Sequence, residues 1–203
     1  MSYSLNETEA LCRKATRGAG FSWGQAEAAG RAARWLHLQG LGGAESLAQV
    51  LETPGAIPLV EGVNWVSAGG PLCPILTGTA LADHAHVIGT SGVRLGAVNA
   101  PLLLLGFVSV ASYLTVQNLK VETPLGRAVV FRDDLDLSGS FDSADQVKLA
   151  IGHAPKHLRA RQTRAEMTPD VYARLDRFAQ RTYAPATEAS RIAGAGAGLS
   201  DND

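Results

Sequence analysis

Cysteine is almost missing from this chain: Cys12 and Cys73 are the only two among 203 residues, and no metal-binding spacing joins them. A disulfide framework and a cysteine-held metal are therefore excluded, and two reduced, buried thiols in a cytosolic protein are expected. An excess of charge is missing too. With 18 basic and 19 acidic side chains, no global field draws the molecule to nucleic acid or to an anionic membrane. The opening stretch "MSYSLNETEALCRK" lacks the apolar run of a secretory signal, so a cytoplasmic location is expected. The one serious membrane candidate is Leu95 to Leu119, which has no charge inside and a length that could span a bilayer. Asn99, Pro101, Gly106, Ser112 and Gln117 interrupt it, and it reads as soluble core.

What is present is a globular balance, 46 % hydrophobic and 18 % charged, enough to bury a core within a single domain spanning residues 1–203. "SLNE" at Ser4 to Glu7 and "SWGQ" at Ser22 to Gln25 are capping boxes that open two helices. In the second helix Ala26, Ala29, Gly30 and Ala33 form a slim stripe that lets another backbone come close. "AESLAQVLE" adds a third helix, which Thr53, Pro54 and Gly55 end, so residues 1–53 read as a helical hairpin or bundle. From 57 to 152 short apolar runs cut by Gly and Pro read mainly as strands. These include "NWVSAGGPLCPIL", "VRLGAV", "PLLLLGFVSVAS", "YLTVQNLKVE", "RAVVFR" and "DLDLS", with a short helix at "TALADHAHV". "QVKLAI" fits either a strand or a helix begun after Ser143. Thr168, Pro169 and Asp170 start a last helix, and residues 168–203 comprise that helix and a glycine-rich tail. The expected class is α+β: an N-terminal helical hairpin or bundle and a C-terminal helix packed around a mixed, mostly antiparallel sheet.

Candidate chemistry concentrates in the tail. "GAGAG" at Gly194 to Gly198 invites a phosphate loop, but only five residues follow it, too few for the helix that such a loop needs. Upstream, "ATEASR" gathers Thr187, Glu188, Ser190 and Arg191. The Arg191 guanidinium can fork onto a carboxylate or phosphate of a substrate, or pair internally with Glu188. Ser190 lacks a nucleophile elbow and suits a hydrogen-bonding role. Asp201 and Asp203 could offer hard oxygens to a cation or simply be solvated, and no metal is assigned. His84 and His86 would share a face only on a strand, and Pro155 between His153 and His157 argues for a loop. "RARQTR", Arg159 to Arg164, could dock an anion, line an interface or be solvated. Trp23 and Trp35, twelve residues apart on one helix, are read as core packing on nearly one face, with Trp65 in a strand.

Two stretches, "GAGFSWGQAEAAGRAARWL" and "YAPATEASRIAGAGAGLSDND", resemble an uncharacterised bacterial family, domain of unknown function 3726, over most of the chain. That resemblance implies a tail belonging to the folded unit and carries over no catalytic residue. A fainter similarity links "AEAAGRAARWLHLQGL" to the first helices of the malate and L-lactate dehydrogenases that lack a Rossmann domain. There "GGAES" stands where that family would have Ser-His-Gly.

The functional expectation is an enzyme acting on a small polar or anionic metabolite. Glu188 and Asp201 would be its acid or base, and Arg191, Ser190, Thr187 and Trp23 would bind the substrate. The alternative is a noncatalytic ligand-binding or accessory, homodimeric structural protein, and a homo-oligomer is expected. No sequence feature specifies a cofactor.

Overall fold

A computed structural model describes residues 1–183. The chain begins with a short strand β1 (Ser2–Ser4), whose last residue caps α1 (Leu5–Gly18). Both capping boxes form: Ser4 with Glu7, and Ser22 with Gln25 at the start of α2 (Trp23–Leu38). A third helix, α3 (Gly43–Glu52), completes the N-terminal bundle. The slim stripe does what its small residues permit, for a Cβ on Gly30 would lie 2.9 Å from the Glu9 carbonyl oxygen of α1.

Strands β2 (Leu59–Glu61) and β3 (Asn64–Val66) form a hairpin, followed by α4 (Pro74–Asp83), α5 (Ala85–Thr90) and β4 (Val93–Leu95). Then the structure departs from the sequence expectation. "PLLLLGFVSVAS" is not a strand but the body of α6 (Pro101–Thr115). Its side chains are apolar all round because neighbours surround it: α2, α4 and α5 pack against it, as do β5 (Leu119–Glu122) and β6 (Gly126–Phe131). A helix buried on nearly every side, with Tyr113 and Leu114 of its last turn exposed, shows little amphipathic period, so pattern alone does not separate it from a buried strand. Pro101 at the first turn, where no amide hydrogen is needed, was the available helix signal.

The chain continues through β7 (Asp134–Gly139), β8 (Val147–Ile151), β9 (Arg164–Glu166) and α7 (Pro169–Ala179), which Thr168 caps as expected. "QVKLAI" is thus a strand. Seven strands form one mixed sheet in the order β2-β3-β4-β8-β5-β6-β7, parallel only between β3 and β4. Strand β9 pairs with β1 and ties the C-terminal part to the start of the chain. The protein is α+β, with helices at both ends of the described chain and a mostly antiparallel sheet. Strands β4, β5 and β8 bury alternate residues, so this sheet offers one side to the core and the other to solvent.

Trp35 and Trp65 are buried as expected, whereas Trp23 is 61 % exposed under the Arg17 guanidinium. Twelve residues of α-helix leave two side chains about a third of a turn apart, not on one face. Cys12 and Cys73 are free and buried, and burial pushes both thiols up. No helix among the described residues is long and apolar enough to cross a membrane.

Candidate functional site

The most heavily anchored surface feature is the connection between β8 and β9, which folds back over the solvent side of the sheet. Gly152 begins it by donating to the Asn118 carbonyl at 2.7 Å. A Cβ there would sit 3.1 Å from that of Lys120 and 3.4 Å from a Val129 methyl, so a bare backbone suits this crossing. The Asp136 carboxylate of β7 then accepts from two successive backbone amides, Lys156 at 2.9 Å and His157 at 3.2 Å. Further on, the Arg159 amide donates to the Leu135 carbonyl, and the Gln162 amide to that of Leu38.

The arginines of "RARQTR" complete the anchoring. Arg159 donates through Nε to the Gln39 carbonyl at 2.8 Å, Arg161 pairs with Asp134 at 2.7 Å, and Arg164 reaches the hydroxyl and carbonyl of Ser2. These cations bind their own chain. The strands beneath are fixed as well, because the β6–β7 turn is held from below. Trp35 Nε1 donates to the Arg132 carbonyl, Gln39 Nε2 to the Asp133 carbonyl, and Tyr113 to the Asp133 carboxylate.

This bracing leaves a groove of about 440 Å³, bordered by Arg127, Asp136, Ser138, His153, Lys156 and His157. Its volume is that of a small-molecule site. Charge in the groove is lopsided. Asp136 is its single carboxylate, and the Lys156 and His157 amides, with the nearby His157 and Arg127, hold it below the usual carboxylate range. Arg127 and Lys156 form no ion pair among the described residues, and two imidazoles stand beside them. Arginine offers a fork of N–H donors and lysine a mobile ammonium, the donors that a carboxylate or phosphate requires.

Of the residues proposed from sequence, Thr187, Glu188, Ser190, Arg191, Asp201 and Asp203 lie outside the described residues. Trp23, exposed under Arg17, is not among the residues that line this groove. A separate cavity of about 410 Å³ between α2, α4 and α6 has Arg31 and Asp83 on its walls and Phe107 and Val110 among its apolar lining. His153 and His157 do sit in a loop and line one groove. His84 and His86 have rings 6.4 Å apart, with His84 Nδ1 engaged by the Ala80 carbonyl. No group of three or more metal-ligating side chains is assembled among the described residues. Sequence reasoning overlooked Arg127, Asp136, Ser138 and Lys156. The signal within reach was alternation: in "GRAVVF" and "DLDLSG" the polar residues Arg127, Asp136 and Ser138 share the face opposite the buried one.

The fold and this groove define a class: an α+β protein with a cationic groove on the open face of a mixed sheet. Residues 3–77, which carry α1 to α3, the β2–β3 hairpin and the first turn of α4, match the model of a family described as protein of unknown function (DUF3726). The resemblance read from the sequence holds over those residues, and the groove lies beyond them. No curated protein matches the chain.

Proposed function

We propose that the protein binds a small anionic metabolite, a carboxylate or phosphate compound, in the groove over β6 and β7. The observation that carries this reading is the imbalance of charge: Arg127 and Lys156 without ion-pair partners among the described residues, beside two histidines and one carboxylate already engaged by backbone amides. The ligand class is the one expected from sequence, but the residues that hold it are on the sheet and its covering loop. His153 or His157, which border the groove, would carry the proton if the bound metabolite is turned over.

The test is a titration of the full-length protein with phosphate, acetate, lactate and hexanoate at low ionic strength, following the imidazole resonances of His153 and His157 by NMR. Saturable shifts are expected, and Arg127→Gln should weaken binding at least tenfold, as loss of a charge-assisted pair implies. Resonances that stay fixed with every anion would overturn the reading.

A further inference from the structure

The groove does not end at Arg127. That side chain also borders an adjoining cavity of about 360 Å³, lined by Glu122, Thr123, Gln146 and Lys148 among others. Strand register explains the continuity. Arg94 of β4 is paired with Lys148 of β8, Lys148 with Glu122 of β5, Glu122 with Arg127 of β6, and Arg127 with Ser138 of β7. Directly paired residues project from the same side of a sheet, so all five stand in one row across its open face.

Two observations mark the Arg94 and Lys148 end of that row as a place for negative charge. Like charges directly opposite on neighbouring strands are destabilising, and neither cation has an ion-pair partner among the described residues. The carboxylate beside them is meanwhile drawn away, because Glu122 pairs at 3.0 Å with Lys120, two residues along its own strand. Lys148 and Arg127 lie two strand spacings apart, about 10 Å at the usual spacing between strands.

From this row we infer that the ligand is an elongated dianion. It places one acidic group among Arg127, His153 and Lys156, and the other against Lys148, with Arg94 paired next to it in the row; Glu122, turned onto Lys120, stands between the two ends, and Thr123 and Gln146 line the same cavity. This rests on the anion-binding reading above and adds a length and a second charge. Recognition of two charges by one rigid row follows the rule for linked sites: the second contact gains only if the ligand spans the gap.

The experiment compares three probes on the full chain by calorimetry at low salt: hexanoate, with one charge; malonate, with two charges close together; and suberate, with two at its ends. Suberate should bind at least tenfold tighter than either of the others. Lys148→Gln and, separately, Arg94→Gln should each weaken suberate at least fivefold more than they weaken hexanoate, with unchanged circular dichroism as the folding control. Relief of the repulsion should also raise the Tm of either variant without ligand. Hexanoate binding with no advantage for suberate, or equal losses for both probes in the variants, would overturn the dianion and leave the single-anion groove standing. No binding by any of the three would overturn both.

Discussion

Lowering the pH from 7.5 to 5 should cost this protein about 2 kcal/mol through one buried side chain, His37. The N-cap of helix α3 is Gly42, which has no side chain to cap it. His37, from the last turn of α2, does so instead: its Nε2 accepts from the Ala44 backbone amide at 3.0 Å, with the ring only 4 % exposed. Acceptance requires a neutral ring with a lone pair on that nitrogen. Protonation would point an N–H at an N–H, and burial holds the folded pKa down to about 4, against 6.5 for a free imidazole. The unfolded chain thus binds the extra proton first. The stability is fully present above pH 6.5 and falls as pH drops toward 4, by about 3 kcal/mol in all. Glu45, whose Oε2 lies 3.9 Å from Nε2, works the other way. Burial raises its pKa, so its folded form takes up protons as pH falls through that value. Urea unfolding at half-unit steps between pH 7.5 and 5, for the natural chain and for His37→Gln, isolates the histidine. The difference between them should shrink steadily below pH 6.5. A parallel pair of pH profiles, or an imidazole that titrates near 6.5 in the folded protein, would refute the reasoning.

Gly106→Ala should be destabilising despite alanine's better helix propensity. A Cβ on Gly106 would lie 2.6 Å from the Cα of Ala32, where α6 crosses α2, and a net loss of about 1 to 2 kcal/mol in urea unfolding is expected. Val116 ends α6 in the left-handed region at φ 54°, exposed to solvent, so Val116→Gly should instead stabilise by about 0.5 to 1 kcal/mol after the added chain entropy is counted, which thermal unfolding would register. Cys12 and Cys73 should both resist an aromatic disulfide reagent in the native protein and react together in urea, because each is fully buried with its thiol pKa raised.

Local signals carried the ends of the fold. Ser4 with Glu7, Ser22 with Gln25 and Thr168 with Pro169 each specify a helix start within four residues of chain, and each forms. Short apolar runs likewise placed β6 and β7, although Val129 on the outer face of β6 is buried as well as Ala128 and Val130 on the inner one. What the sequence could not resolve is α6. There tertiary burial around most of the helix erases the period by which helices are recognised, and branched residues such as Val108 and Val110 favour the strand reading.

The groove was illegible for a different reason. Arg127, Ser138 and Lys148 are ordinary solvent-face residues of three strands, and nothing in any one strand says which neighbour it will meet. Their union is a product of register: β8 inserts between β4 and β5, which places Lys148 beside Glu122 and opposite Arg94 although the three are distant in sequence. The loop over them is equally remote from its anchors, for Arg159 is held by Gln39 and Arg161 by Asp134. A segment with three arginines could have docked an anion, lined an interface or been solvated, but these guanidiniums are the fasteners. They free the side chains before them, His153, Lys156 and His157, to border the groove. The same bracing makes binding affordable in entropy, since a loop already fixed at Leu135, Asp136 and Gln39 gives up little freedom when a ligand settles against it.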